Sequence, residues 1–259
     1  MTPMTQNPPL LLTGGTGTLG RHVLPMLRDA GRTVRVLSRH RRESADDGVE
    51  HVTGDLLADT GTAAAVAGVH TVVHLAGSNK GDDEATRNLV RAAVAADVRH
   101  LVLISVIGAD TVPLGFLRTK LAAERAVTGS GLPWTILRAA QFHDLALTMA
   151  KGMTKLPVVP VPTGLRLQPV DVRDVAARIT ELALGEPAGR VPDLAGPTVY
   201  PMADLLRTYL TAHAKRRPLL PCPFPGRTGR AYRTGANLTL EGADTGTRTW
   251  EDFLAERVG

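Results

Sequence analysis

The most specific chemistry in this sequence is carried by glycines. The stretch TGGTGTLG places Gly14, Gly17 and Gly20 three residues apart, straight after the apolar run LLLT and straight before a helical pattern. Glycine at these positions lets the chain turn tightly, lets backbone approach a pyrophosphate, and lets the following helix pack close to the strand. The helix start then offers unpaired N–H groups and a partial positive charge to phosphate oxygens. With Thr16, Thr18 and Leu19 between the glycines, Gly14 to Gly20 forms a candidate phosphate cradle.

A second group follows about 20 residues on, where an Asp or Glu would hold the ribose hydroxyls of NAD. The window VLSRHRR has no acid before Glu43 and holds Ser38, Arg39, His40, Arg41 and Arg42 instead. A carboxylate would repel a 2′-phosphate, whereas a guanidinium holds it through two charge-assisted hydrogen bonds. The expected cofactor is therefore NADP(H), with Arg39 the main partner of the 2′-phosphate, helped by Ser38 and Arg42. A solvated basic loop is the bland alternative. Further on, Asp55 in GDL can accept from the exocyclic amine of an adenine while Leu56 packs on its ring. Asp in a turn is also ordinary turn chemistry.

These groups need strands and helices to position them. Over the first 140 residues, short apolar runs (LLLT, TVRVLSR, VEHVT, HTVVHLAG, RHLVLISVIG, PWTILRAA) alternate with helical stretches, which implies right-handed crossovers and a parallel sheet. The fold class is α/β, a doubly wound parallel sheet. Pro25 falls inside the first helical pattern and should weaken it unless it lies in the first turns. Beyond residue 140 the regularity fades. KLPVVPVPTG reads as a loop with an edge strand, RPLLPCPFPGRTGR as a loop, and DVRDVAARITELALG, YPMADLLRTYLTAHAKR and TRTWEDFLAERVG as helices. Asp171-x-x-Asp174 and Thr249-x-x-Asp252 are the cap signals of the first and last of these.

Composition narrows the function classes. The chain has 259 residues and 43% hydrophobic content, enough for one large α/β domain or a domain plus an appendage. A net charge of +5 with 3% aromatic residues gives no basic face with stacking rings, so no nucleic-acid partner is expected. Cys222 is the single cysteine, so no intrachain disulfide forms, and no Cys/His pattern has metal-ligand spacing. No secretory signal pattern or membrane-length apolar run appears, and the expected location is the cytoplasm.

The stretches TGGTGTLGR, GDL, HLAG, LISVIGAD, RTKLAAERAV, SGLPWTILRAAQFHD and LQPVDVRDVA occur in the order found in the NmrA-like branch of the short-chain dehydrogenase/reductase superfamily, which the chain resembles from Leu10 to about Leu184. The resemblance implies a Rossmann-like domain with a small, mostly C-terminal substrate-capping region. Residues 1–150 would form the cofactor-binding core, with 166–185 packing back on it. Residues 151–165 and 186–259 would form the capping region and tail. It also implies that Leu75, Ala76 and Gly77 line the adenosine side, that Ser105 and Lys120 flank the nicotinamide ribose, and that Ala139, Ala140, Gln141 and Phe142 pass beside the nicotinamide.

One position departs from the tyrosine-dependent members, where a tyrosine four residues before the lysine is the general acid/base. Here that residue is Phe116, which has no hydroxyl. His143, with Asp144 beside it, and Tyr200, Tyr209 and Tyr232 are the candidate proton donors; a structural helix-start histidine is the alternative for His143. Reduction of an activated quinone, azo compound or enone could instead draw its proton from water, with Ser105 or Lys120 holding the anion. Pro-rich loops with Phe142 and Phe224 point to a small apolar substrate; Met149 and Met153 could line the same cleft, with core packing the commoner role of methionines at helical spacing. The expectation is an NADPH-dependent oxidoreductase, monomeric or homodimeric, with Lys120, Ser105 and His143 as catalytic candidates. The alternatives are an NADP(H)-sensing regulator and a non-redox isomerase or cyclase on the same fold.

Overall fold

The structure is a computed structural model that describes residues 8–41, 48–78, 80–239 and 241–258. In chain order the first elements are β1 (Leu10–Thr13), α1 (Gly20–Asp29), β2 (Val34–Ser38), β3 (Val49–Thr53), α2 (Thr62–Val66), β4 (Thr71–His74), α3 (Asp82–Ala95), β5 (His100–Val106), α4 (Gly115–Thr128) and β6 (Trp134–Ala139). They are followed by α5 (His143–Met153), β7 (Val159–Pro162), β8 (Arg166–Leu167), α6 (Val172–Leu184), β9 (Gly189–Arg190), β10 (Leu194–Ala195) and β11 (Tyr200–Pro201). The chain ends with α7 (Met202–Ala212), β12 (Leu219–Cys222), α8 (Gly226–Arg233), β13 (Asp244–Thr245) and α9 (Trp250–Val258).

The chain forms two compact units. Unit 1 comprises residues 1–105, 119–137 and 176–191, and unit 2 comprises 106–118, 138–175 and 192–259. In unit 1 the strands run in the order β3-β2-β1-β4-β5-β6, with β9 on β6. The pairs β1–β2, β1–β4, β2–β3, β4–β5 and β6–β9 are all parallel. This is a doubly wound Rossmann-like sheet, as the alternating pattern requires. Parallel strands covered on both faces read as continuous apolar runs, and β1 is buried at every position. The order reverses between β1 and β4, so the C-terminal end of β1, where the glycine turn begins, sits at the switch point at which such sheets bind ligands.

Pro25 does lie inside α1, six residues in, yet the helix continues to Asp29. Pro25 is on the exposed side, so the hydrogen bond it forfeits lies where water can compensate. In unit 2 the last residue of β6, Ala139, pairs with β10, which pairs with β13. Its core gathers α5, α7 and α9 around fully buried Trp250 and Leu206. The proline-rich runs form a two-strand parallel ladder, β7 with β12. RPLLPCPFPGRTGR is thus strand then helix, where a loop was expected.

The two cap signals have different outcomes. Thr249 and Asp252 form a reciprocal capping box, with Asp252 N donating to Thr249 Oγ1 at 3.2 Å and Thr249 N donating to Asp252 Oδ2 at 3.0 Å. Asp171 does cap α6 by accepting from Arg173 N at 2.8 Å. Asp174, however, turns to the segment before α9 and accepts from Thr247 N at 2.9 Å. Among the described residues no helix is long and apolar enough to cross a membrane, and no cluster of His, Cys, Asp and Glu could hold a metal ion.

Candidate functional site

The turn after β1 is shaped by close backbone contact. Gly14 has φ of +71°, and a Cβ there would stand 2.6 Å from Ala76 N and 2.7 Å from Leu75 C. The end of β4 therefore presses on the turn with no room for a side chain. At Gly20 a Cβ would lie 2.2 Å from Gly14 O, so α1 begins in contact with the loop. Gly17 differs, because a Cβ there would meet only Gly14 O at 3.2 Å. Thr16, Gly17 and Thr18 are exposed, Leu19 is buried beneath them, and α1 has no side-chain cap. An anion complements such a helix start, and the bare surface at Gly17 leaves space for its approach.

Beneath the turn runs a buried chain of hydrogen bonds. His74 Nδ1 lies 2.6 Å from Thr13 Oγ1, and His74 Nε2 lies 3.1 Å from Thr86 Oγ1. Thr86 gives its own proton to Asp82 O at 2.7 Å, so it accepts from His74 Nε2–H, which leaves Nδ1 to accept from Thr13. That assignment follows from donor counting. It makes the imidazole neutral, and burial lowers its pKa to about 4, with Asp82 opposing and Lys120 reinforcing the shift.

Asp82 continues this chain to the lysine that the sequence singled out. Lys120 Nζ is 3.0 Å from Asp82 Oδ2, and the two side chains are 8% and 4% exposed. A Cβ on Gly77 would stand 2.9 Å from Nζ, so the ammonium lies against bare backbone just past β4. One helical turn further along α4, Glu124 is buried and accepts from Ser105 Oγ at 2.5 Å. Lys120 and Glu124 share a face because residues four apart align on a helix. Ser105 thus directs its single proton at Glu124, where a donor to ligand was expected. Phe116, a further turn back, is 37% exposed.

The residues expected on the adenosine side are also in unit 1. Leu75 and Ala76 are half-buried and Gly77 is exposed. Ser38 Oγ donates to His40 O at 2.9 Å and so shapes the turn after β2, and Arg39 is exposed there. Arg42 lies outside the described residues. Asp55 Oδ1 accepts from Leu57 N at 2.8 Å and Ala58 N at 3.4 Å, the turn role that competed with an adenine contact. Leu56 is buried.

The remaining candidates belong to unit 2. Ala140 N donates to Leu194 O, Val170 N to Gln141 O, and His143 N to Val170 O, which fixes the segment after β6. Arg138 Nη1 pairs with Asp110 Oδ2 at 2.8 Å. Of the two readings of His143, proton donor and helix-start histidine, the structure matches the second: it opens α5 and is a core residue. Its ring is fully buried, with centroids 5.0 Å from Phe253 and 5.9 Å from Trp250. Among the described residues neither ring nitrogen makes a hydrogen bond, and Asp171 Oδ2 is 3.9 Å away. Burial lowers the His143 pKa against the pull of Asp171 and Asp144.

The three candidate tyrosines are engaged within unit 2. Tyr200 donates to Glu251 Oε2 at 2.6 Å, and burial, then that bond, raises its pKa to about 12. Tyr209 is buried beside His213, and Tyr232 stacks on Phe224. Met149 and Met153 pack on the unit 2 core. Asp82, His74 and Glu124 were not foreseen. Asp82 sits among first-turn acids of a helix, and no spacing rule separates it from Asp83.

The switch-point turn and its parallel sheet define a dinucleotide-binding α/β protein. Residues 14–184 match the family model described as NAD(P)H-binding, and the chain belongs to that family. It is 35% identical over 195 residues to the (4-alkanoyl-5-oxo-2,5-dihydrofuran-3-yl)methyl phosphate reductase of Streptomyces griseus, covering 73% of this chain and 68% of that relative. To the NAD(P)H azoreductase of Xenophilus azovorans it is 30% identical over 173 residues, covering 65% of this chain and 60% of the relative. The fold matches the NADPH-dependent quinone oxidoreductase of Escherichia coli complexed with NADPH, with a TM-score of 0.83 at 19% identity, over 96% of this chain and 100% of that one.

Proposed function

We propose that the chain is an NADPH-dependent reductase of a small apolar quinone, azo compound, enone or carbonyl, working without a catalytic tyrosine. The observation that carries this reading is the glycine turn, where backbone contact excludes a Cβ at Gly14 and Gly20 while Thr16 to Thr18 stand open before an uncapped helix. A pyrophosphate fits that cradle. Relatives named as reductases of a dihydrofuranone phosphate and of azo compounds support the reaction class.

Bound NADPH supplies a hydride, and acceptor, NADPH and one proton give reduced acceptor and NADP⁺. In this reading Gly14 to Gly20 hold the pyrophosphate, and Arg39 and Ser38 take the 2′-phosphate end. Asp55 and Leu56, with Leu75 to Gly77, flank the adenosine. Lys120, oriented by Asp82, holds the nicotinamide ribose, and Ser105 stands beside it. The family resemblance assigns Ala140, Gln141 and Phe142 to the nicotinamide side. With Phe116 in place of a phenol, the proton comes from water, which favours acceptors whose reduced anion is already stable. We place this activity in the cytoplasm, in a monomer or homodimer.

His143 is given a structural role. His143→Leu should leave turnover unchanged and alter unfolding free energy by no more than about 1 kcal/mol, because an unpaired buried polar group is exchanged for an apolar one. A large loss of kcat with intact stability would restore His143 as a donor.

The main test uses 4-deuterated NADPH of each face with enones, aldehydes, quinones and azo dyes. The expected result is deuterium on carbon in a reduced enone or aldehyde, or slower NADPH oxidation with the label when the acceptor loses it to water. Tight NADPH binding with no isotope effect and no label in any product would favour a sensing or non-redox role.

A further inference from the structure

A pocket of about 340 Å³ opens beside the glycine turn, lined by Gly15, Thr16, Arg21, Leu24, Val36 and His51. We propose that Arg21, with Thr16 and His51, forms a binding arm for the 2′-phosphate of the cofactor and helps set the preference for NADPH over NADH. The proposal rests on the dinucleotide-reductase reading and adds to it a residue outside the arginine-rich window at the end of β2.

Three observations carry it. First, the pocket lies between the turn that cradles pyrophosphate and β2, the strand whose end reads the adenosine ribose. Val36 and His51 are direct partners in the β2–β3 ladder and so project to the same face. A Cβ on Gly15 would meet Val36 Cγ1 at 3.0 Å, which puts that face against the glycine turn.

Second, the pocket has cationic chemistry and no carboxylate among its lining residues. Arg21 is exposed in the first turn of α1, and its Nε makes a long 3.4 Å contact to Gly17 O. That contact holds the stem at the turn and leaves both terminal nitrogens for a bidentate anion. Arg35 on the same strand as Val36 is unavailable for this work. Its guanidinium donates to Glu50 at 2.8 Å and to the carbonyls of Ala65 and Ala67.

Third, His51 Nδ1 is buried with no hydrogen-bond partner among the described residues. A buried polar atom left unpaired is costly, and because His51 lines the pocket, a turn of its ring that brings an N–H to the cavity would let a phosphate oxygen accept from it. A site that gathers an anchored guanidinium, a threonine hydroxyl and an unsatisfied imidazole nitrogen on one side of the pyrophosphate turn suits a phosphate monoester.

The test is calorimetric titration of wild type, Arg21→Ala and Arg21→Lys with NADP⁺, NAD⁺, adenosine 2′,5′-bisphosphate and 5′-AMP, with thermal unfolding as the folding control. Arg21→Ala should weaken NADP⁺ and the bisphosphate by about 10- to 100-fold while NAD⁺ and 5′-AMP change less than about two-fold. Arg21→Lys should recover only part of the loss, since an ammonium lacks the planar fork. Unchanged NADP⁺ affinity, or equal weakening of NADP⁺ and NAD⁺, would overturn the assignment and leave the reductase reading standing. Wild-type protein that binds neither nucleotide would overturn both.

Discussion

Asp82→Ala should destabilise the fold by about 3–5 kcal/mol, because it strands the Lys120 ammonium in the protein interior. The two groups sit 3.0 Å apart with side chains 8% and 4% exposed, so water cannot take over from the missing carboxylate. Asp82 Oδ1 also accepts from Ser78 N, a bond the alanine forfeits, and its charge is lost from the first turn of α3. Lys120→Met in the same chain should recover much of the loss, since replacing both members of a buried pair with apolar groups is far milder than removing one. Urea unfolding of the two single variants and the double variant reads the coupling directly. If Asp82→Ala unfolds within about 1 kcal/mol of wild type, the lysine has found another partner and the pair is not what holds it.

The second large effect is a pH dependence centred on His74. Its folded pKa, about 4, lies below the ordinary 6.5, so the unfolded chain binds a proton before the folded one does. The stability this group contributes is complete above about pH 6.5, declines as the pH falls, and is fully lost below about 4. The gap corresponds to about 3 kcal/mol in all and about 2 kcal/mol by pH 5. His100 and His143 are also lowered by burial and add to the acid sensitivity of wild type. Comparison with His74→Gln, which does not titrate, removes their share. The stability advantage of wild type over that variant should shrink by about 2 kcal/mol between pH 7 and pH 5. An advantage that stays constant would mean that His74 is not held neutral.

Both effects come from one network, and neither was legible in the sequence. The glycine turn was legible because its function depends on a local pattern: strand, turn and helix are consecutive, and each glycine answers a backbone contact within or beside the loop. The parallel sheet was legible for a similar reason, since strands covered on both faces must be apolar runs. The Lys120–Asp82 pair joins residues 38 apart, and only the packing of α3 and α4 decides that Asp82 turns inward while Asp83 remains available to Arg87. His143 had two readings in the sequence, a proton donor and a helix-start histidine, and nothing local chose between them. Its burial is fixed by Trp250 and Phe253, contributed by the final helix more than 100 residues on. Two-residue strands such as β8, β10 and β13 are too short to have a period and were invisible.

The interleaving of the two units bears on how the polypeptide is made. Unit 1 takes residues 1–105, 119–137 and 176–191, so its sheet edge at β9 is synthesised only after the whole of unit 2's first two segments, 106–118 and 138–175. Unit 2 in turn needs residues 106–118, emitted long before its closing helix at 250–258. No single cleavage point separates the two, and although unit 1 is complete in the nascent chain at residue 191, unit 2 must wait for residues 192–259. Such a chain depends on contacts distant in sequence, which slows folding and lengthens the exposure of apolar strands.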